Sequence, residues 1–210
     1  MVGREKEIRR ITVIGAIVNI ILTVFKIIAG IFGRSAAMVA DGIHSLSDLL
    51  SDIVVIVFTH ISSKEKDRNH SFGHGKFETL ATLIVSVILV VVGARLMTNG
   101  VKYIISILNG NTFPSPGSIA LWAAAISIIL KEVLYHITIH TARKVNGPVL
   151  SANAWHHRSD AFSSIGALVG IGGAMIIGER WTILDSIASC CISIAIIVVA
   201  VRMAAPCLAE

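Results

Sequence analysis

Six stretches of this chain are apolar for long enough to cross a bilayer, and that feature constrains the fold more than any other. Spanning ~30 Å of hydrocarbon takes about 20 helical residues, and the runs fall roughly at 11–33, 36–59, 78–98, 118–140, 150–177 and 182–206. Little of the 210-residue chain is left outside them. A water-soluble fold would have to expose or stack more apolar surface than one small core hides. With 54% hydrophobic and 15% charged residues and a mean hydropathy of +0.80, a disordered chain, a nucleic-acid-binding domain and most soluble enzymes are excluded. The near-continuous runs Ser86–Val92 and Ile192–Val201 lack the two-residue alternation of barrel strands. The expected fold is therefore an all-α membrane protein, a bundle of six transmembrane helices.

Orientation follows from Lys and Arg in the short connections, which resist transfer across the membrane. The N-terminal arm holds Arg4, Lys6, Arg9 and Arg10, the 60–77 loop Lys64, Lys66, Arg68 and Lys76, and the 141–149 loop Arg143 and Lys144. The alternate connections supply only Arg34 and Arg180. Both termini are expected in the cytoplasm, with 1–10 as an arm, 11–206 as the membrane domain and 207–210 as a C-terminal stub. The net charge of +5 is thus read against the lipid bilayer, not against nucleic acid. The first run is too long for a cleavable signal peptide and keeps its basic flank inside. No organelle signal or His-rich inner loop is visible, which points to a prokaryotic inner membrane. Cys190, Cys191 and Cys207 cluster in or beside the sixth run without metal-finger spacing and are expected to pack as small apolar groups.

Charged side chains at membrane depth cost at least ~2.5 kcal/mol each at a helix centre and are rarely accidental. On the second run, Asp41, His44, Asp48 and Asp52 fall at i, i+3, i+7 and i+11, one stripe along one face. On the fifth, His156 and Asp160 are i and i+4 and project side by side. Asp48 lies ~18 Å from the inner end of its helix and Asp160 ~15 Å from the inner end of its own, at 1.5 Å per residue. The two pairs can meet at one level. Two imidazoles and two carboxylates from antiparallel helices suit a tetrahedral Zn²⁺, and the carboxylates neutralise the dication. The plainer alternative is a hydrogen-bonded structural cluster inside the bundle.

Three further groups invite the same question. The inner loop carries Asp67, His70 and His74, with glycines at 73 and 75 that would let the backbone bend around a second ion. The fourth run repeats Glu132, His136 and His140 on one face, but His140 lies at the inner boundary, where an imidazole simply reaches water. Lys131 and Glu132 are expected to face the bundle or pair as structure. Lys26 and Arg95 near the outer ends, and Arg158 near the inner one, are expected to snorkel toward headgroups.

Three segments in this order resemble the cation diffusion facilitator family across nearly the whole chain: Ala40–Asp48, His70–Glu78 and Ala152–Asp160. The resemblance implies a six-helix transporter, usually a homodimer, that moves divalent metal out of the cytoplasm in exchange for protons, and not an enzyme. Carried over by position, it implies a transport site of His44, Asp48, His156 and Asp160 and a loop site of Asp67, His70 and His74. It leaves His157 outside the site and gives Asp41 an accessory role in orienting His44 or relaying protons. In that family, His-xxx-Asp on both helices goes with Zn²⁺ and Asp-xxx-Asp with Mn²⁺. Both pairs here begin with His, so Zn²⁺ is the expected substrate, with Cd²⁺, Fe²⁺, Co²⁺, Ni²⁺ and Mn²⁺ compatible with similar donors. Members usually continue past the sixth helix into a cytoplasmic metal-binding domain; this sequence reaches Glu210, as either a piece of a longer protein or a short form of it. A rival reading is a metal-binding membrane scaffold or sensor that does not move its ion. A metalloenzyme fits less well, because four protein ligands leave a tetrahedral zinc no open position for water.

Overall fold

A computed structural model describes residues 2–62, 75–145, 148–177 and 179–209. Over these residues the chain forms six long helices: α1 (Val2–Phe32), α2 (Ala36–Ser62), α3 (Gly75–Leu108), α4 (Ser118–Val145), α5 (Pro148–Ile177) and α6 (Ile183–Ala209), with a short 3₁₀ turn at Glu179–Thr182. Five are long and apolar enough to span a membrane, and the sixth, α2, is the helix that carries Asp41, Asp48 and Asp52. The protein is a multi-pass, all-α integral membrane bundle.

Local chemistry explains where the helices stop. Ser35 caps α2 by accepting the Met38 N–H at 3.0 Å, and the Asp185 carboxylate, brought across from the start of α6, accepts the Ala36 N–H at 2.7 Å and the Ser35 hydroxyl at 2.6 Å. Helix α5 opens on Pro148, whose missing N–H has no partner to lose at a first helical position. Helix α3 runs to Leu108, well beyond the expected boundary near 98. It ends where Gly110, at φ 92°, donates to Ile107 C=O and Asn111 donates to Ser106 C=O, the paired bonds of a glycine-terminated helix. Gly100 does not break it, because that glycine is a contact surface: a Cβ there would stand 2.5 Å from Cys190 Sγ on α6.

The distribution of size is inverted relative to a soluble protein. Alanines 29, 37, 40, 120, 123, 124, 167 and 200 form the fully buried centre, while Ile21, Phe32, Trp122, Val149 and Ile176 point outward. Small residues let helix backbones approach where lipid offers no hydrophobic drive to associate, and the large apolar groups meet the acyl chains. Helix α3 packs chiefly on α6, α4 on α5 and α1 on α2, while α2 also touches α3, α5 and α6. Both termini lie at one end: Ile8 and Ile11 of α1 pack on Ala142, Val145 and Leu150, and near the end of α6 Met203 accepts the Ser51 hydroxyl of α2 at 3.0 Å. At the opposite end, Gly117 N–H bonds Gly33 C=O at 2.7 Å, tying the α3–α4 connection to the α1–α2 turn.

Candidate metal centre

The stripe on α2 separates into four environments, because each turn of the helix meets a different neighbour. Outermost from the termini, Asp41 is fully buried against α1 and α5. Lys26 Nζ sits 2.8 Å from its Oδ2, Ser164 Oγ donates to Oδ2 at 2.8 Å and Ser163 Oγ to Oδ1 at 2.9 Å. Lys26 also donates to Ser45 and Ser164. It therefore does not snorkel as expected: the helix places its stem toward the interior, and an available carboxylate outcompetes distant headgroups. Asp41 spends its oxygens on this pair, and no hydrogen bond to His44 is among them.

One turn on, His44 lines a cavity of ≈ 420 Å³ between α2, α5 and α6, with Phe162, Ser163, Ala188 and Ile192 among its walls. Its Nδ1 is buried without a hydrogen-bond partner among the described residues. The next turn carries Asp48, which meets His156 and Asp160 of α5: one ligand atom from each of the three lies within 4.8 Å of the others. Asp48 Oδ2 is likewise buried and unpartnered. A buried carboxylate oxygen with no donor is costly, and a cation is what such an oxygen suits. Finally, Asp52 is exposed and shares with Asp48, Ser51, His156, Arg202 and Met203 the wall of a second cavity of ≈ 350 Å³ on the side of the termini.

Three of the four residues expected at the transport site thus converge, and His44 does not join them in this conformer. Two carboxylates and one imidazole remain, with His156 Nδ1 3.8 Å from Asp160 Oδ1. Asp160 has one further partner that spacing alone did not reveal. Lys131 of α4 approaches its Oδ2 at 2.5 Å and also donates to Asn19 of α1 at 2.8 Å. The signal for it was present: Asn19 and Lys131 are polar groups stranded mid-way along apolar helices, and such groups need each other or a third.

The remaining candidates are placed elsewhere. His157 is 2% exposed and turns to α1, where a Cβ on Gly15 would stand 3.3 Å from its Nε2. His136 Nε2 lies 3.3 Å from Glu132 Oε1 on the bundle's outer surface, the imidazole 68% exposed, and His140 is exposed as well. Arg158 does not extend to headgroups. Its guanidinium stacks 4.5 Å over the Tyr135 ring and lies 3.5 Å from Glu132, since a planar cation beside an aromatic face and a carboxylate is satisfied locally. The loop candidates Asp67, His70 and His74 lie outside the described residues. All three cysteines are free.

A sequence profile of the cation efflux transmembrane domain matches residues 12–210. The chain belongs to the cation diffusion facilitator family. That is a family of transporters, not of enzymes. Among curated relatives, the manganese efflux system protein MneP of Bacillus subtilis is 36% identical over 207 residues, which cover 97% of this chain and 68% of the relative. The magnetosome protein MamM of Paramagnetospirillum magneticum is 35% identical over 173 residues, 82% of this chain and 54% of the relative. Metal tolerance protein C1 of Arabidopsis thaliana is 36% identical over 186 residues, 83% of this chain and 39% of the relative. The chain spans about half the length of MamM and about two thirds that of MneP. In this chain, Asp48, His156 and Asp160 bring potential ligand atoms from α2 and α5 within 4.8 Å of one another.

Proposed function

We propose that this protein exports a divalent first-row metal ion from the cytoplasm in exchange for protons, by alternating access around Asp48, His156 and Asp160. The observation that carries the reading is the meeting of these groups between α2 and α5 near the middle of the bundle, with a buried carboxylate oxygen left unpartnered. Imidazole and carboxylate bind metal only when deprotonated, so metal and protons compete for one set of atoms, which is the requirement for exchange. The cavity beside Asp52 supports an approach from the end that holds the termini, taken as the cytoplasmic end from the distribution of Lys and Arg. The His44 cavity supports a way out between α5 and α6. Alternating access then amounts to opening one cavity while closing the other around a fixed centre.

Zn²⁺ is the proposed substrate when His44 rotates in to complete a two-imidazole, two-carboxylate set. Mn²⁺ is the second reading: the three converged groups are oxygen-rich, carboxylate suits that ion, and MneP and MneS of Bacillus subtilis are both named for manganese efflux. Proteoliposomes with an imposed pH gradient test both. Wild-type protein should take up metal and Asp48→Ala should reduce uptake to background. His44→Ala should lower Zn²⁺ uptake at least about tenfold while sparing Mn²⁺ if zinc uses the fourth ligand. Metal binding with no gradient-driven flux would overturn transport in favour of a scaffold or sensor.

A further inference from the structure

Asp160 faces two neighbours at once. Its Oδ1 faces His156 Nδ1 at 3.8 Å, on the side of Asp48, while its Oδ2 holds the Lys131 ammonium at 2.5 Å. That ammonium has a second acceptor within reach, Asn19 Oδ1 at 2.8 Å on α1. The pair itself is buried: the side chains of Lys131 and Asp160 are 3% and 7% exposed. A dication seated among Asp48, His156 and Asp160 would share one carboxylate with a fixed positive charge in a medium where charges are poorly screened, and like charges a few ångströms apart repel strongly there. The ammonium and the metal cannot both hold Asp160 fully.

We propose that Lys131 is a built-in competitor of the transported metal, which yields Asp160 and keeps only its bond to Asn19 as the ion coordinates, and reclaims the carboxylate as the ion leaves. Lys131 is a positioning residue, since it acts on the metal through Asp160. The exchange moves one ammonium between two oxygens already within hydrogen-bond reach, so no helix has to open for it. Its consequence is kinetic as well as energetic. A site made of two carboxylates and imidazole would otherwise bind a dication tightly enough to slow its release, and a tethered rival for one ligand keeps affinity low and turnover high. Lys26, also buried, cannot work in this way, because the Asp41 carboxylate it holds is not among the three converged groups.

The inference rests on Asp48, His156 and Asp160 being the metal site, and the test separates the two. Zn²⁺ binding to the purified full chain in lipid nanodiscs is measured by titration calorimetry at fixed pH, and flux by the proteoliposome assay. Lys131→Gln should bind Zn²⁺ about tenfold or more tighter, the equivalent of about 1.4 kcal/mol, and turn over more slowly at saturating metal. Lys131→Arg, which keeps a competing cation, should stay close to wild type. Asn19→Leu, which removes the alternative seat and leaves the lysine on Asp160, should bind several-fold more weakly. These opposed directions are not what a merely structural lysine produces, since structural damage loosens binding in every variant. Unchanged or weaker binding by Lys131→Gln overturns the proposal. If that variant does not fold, Asn19→Leu binding as tightly as wild type overturns it instead. Asp48→Ala is the control for the site itself: loss of binding there leaves the site reading standing whatever the lysine does, and wild-type binding by Asp48→Ala removes both.

Discussion

Among the described residues, two lysine–aspartate pairs are buried in the same bundle, and their surroundings assign them different tasks. Lys26–Asp41 joins α1 to α2 with both side chains 0% exposed, and serines from α5 donate to both carboxylate oxygens. Lys131–Asp160 joins α4 to α5, but only Oδ2 is taken and Oδ1 opens toward His156 and Asp48. A pair whose acceptors are all satisfied can only be broken, at the cost of an uncompensated buried charge. A pair with a free oxygen and a second seat for its ammonium can exchange. The same two residue types therefore make a rivet in one place and a replaceable contact in the other, and the neighbours decide which.

Neutralising each carboxylate in turn would break the comparison most severely if it were wrong. Asp160→Asn should bring metal flux to background. Asp41→Asn should instead destabilise the fold by about 3–5 kcal/mol, because Lys26 is left charged and buried, while metal binding persists in the protein that does fold. Calorimetric metal titration and detergent-solubilised thermal unfolding read the two effects separately. Loss of metal binding in Asp41→Asn with an unmoved unfolding midpoint would transfer Asp41 to the transport machinery.

A smaller effect should come from Asp185, which caps α2 from α6 but belongs to neither pair. Asp185→Ala should cost about 1–2 kcal/mol, the value of a lost helix cap, with Zn²⁺ affinity unchanged. A large change in affinity would mean that the seating of α2, and not only its ligands, sets the site. The smallest effect belongs to Lys144→Ala. Its partner is Glu7 at 3.1 Å, with the two side chains 64% and 38% exposed, so the loss in unfolding stability should stay below about 1 kcal/mol. A larger loss would show that lysine–carboxylate pairs in this bundle draw their strength from something other than burial.

Much of this arrangement is legible in the residues. The six helices follow from the length that hydrocarbon demands, and Asp48, His156 and Asp160 follow from counting turns along two antiparallel helices. The end of α3 was not legible, because hydropathy marks where lipid stops and the hydrogen-bonded helix continues through Asn99, Gly100 and Lys102 until Gly110 ends it. His44 shares one stripe with Asp41, Asp48 and Asp52, and the family pattern puts it beside Asp48. Yet four residues of helix leave about 40° between side chains, enough for one to face α5 and the other a cavity bordered by α6. Lys26 and Arg158 were expected at headgroups, since position along a span gives depth and says nothing of which neighbour stands opposite.

What the amino acids determined by themselves is local: which stretches must be helical to satisfy their backbone in lipid, and which ionisable groups lie at the same depth. Hydrogen bonds within a helix close over four residues, so the sequence contains all that is needed to form them. Pairing between helices depends on how each is rotated about its axis, and close contacts set that rotation. One is Gly42 on α2, where a Cβ would stand 2.7 Å from Ile27 Cγ1 on α1. Only the packed bundle could decide that one lysine is enclosed by serines while the other rests against a carboxylate with an oxygen to spare.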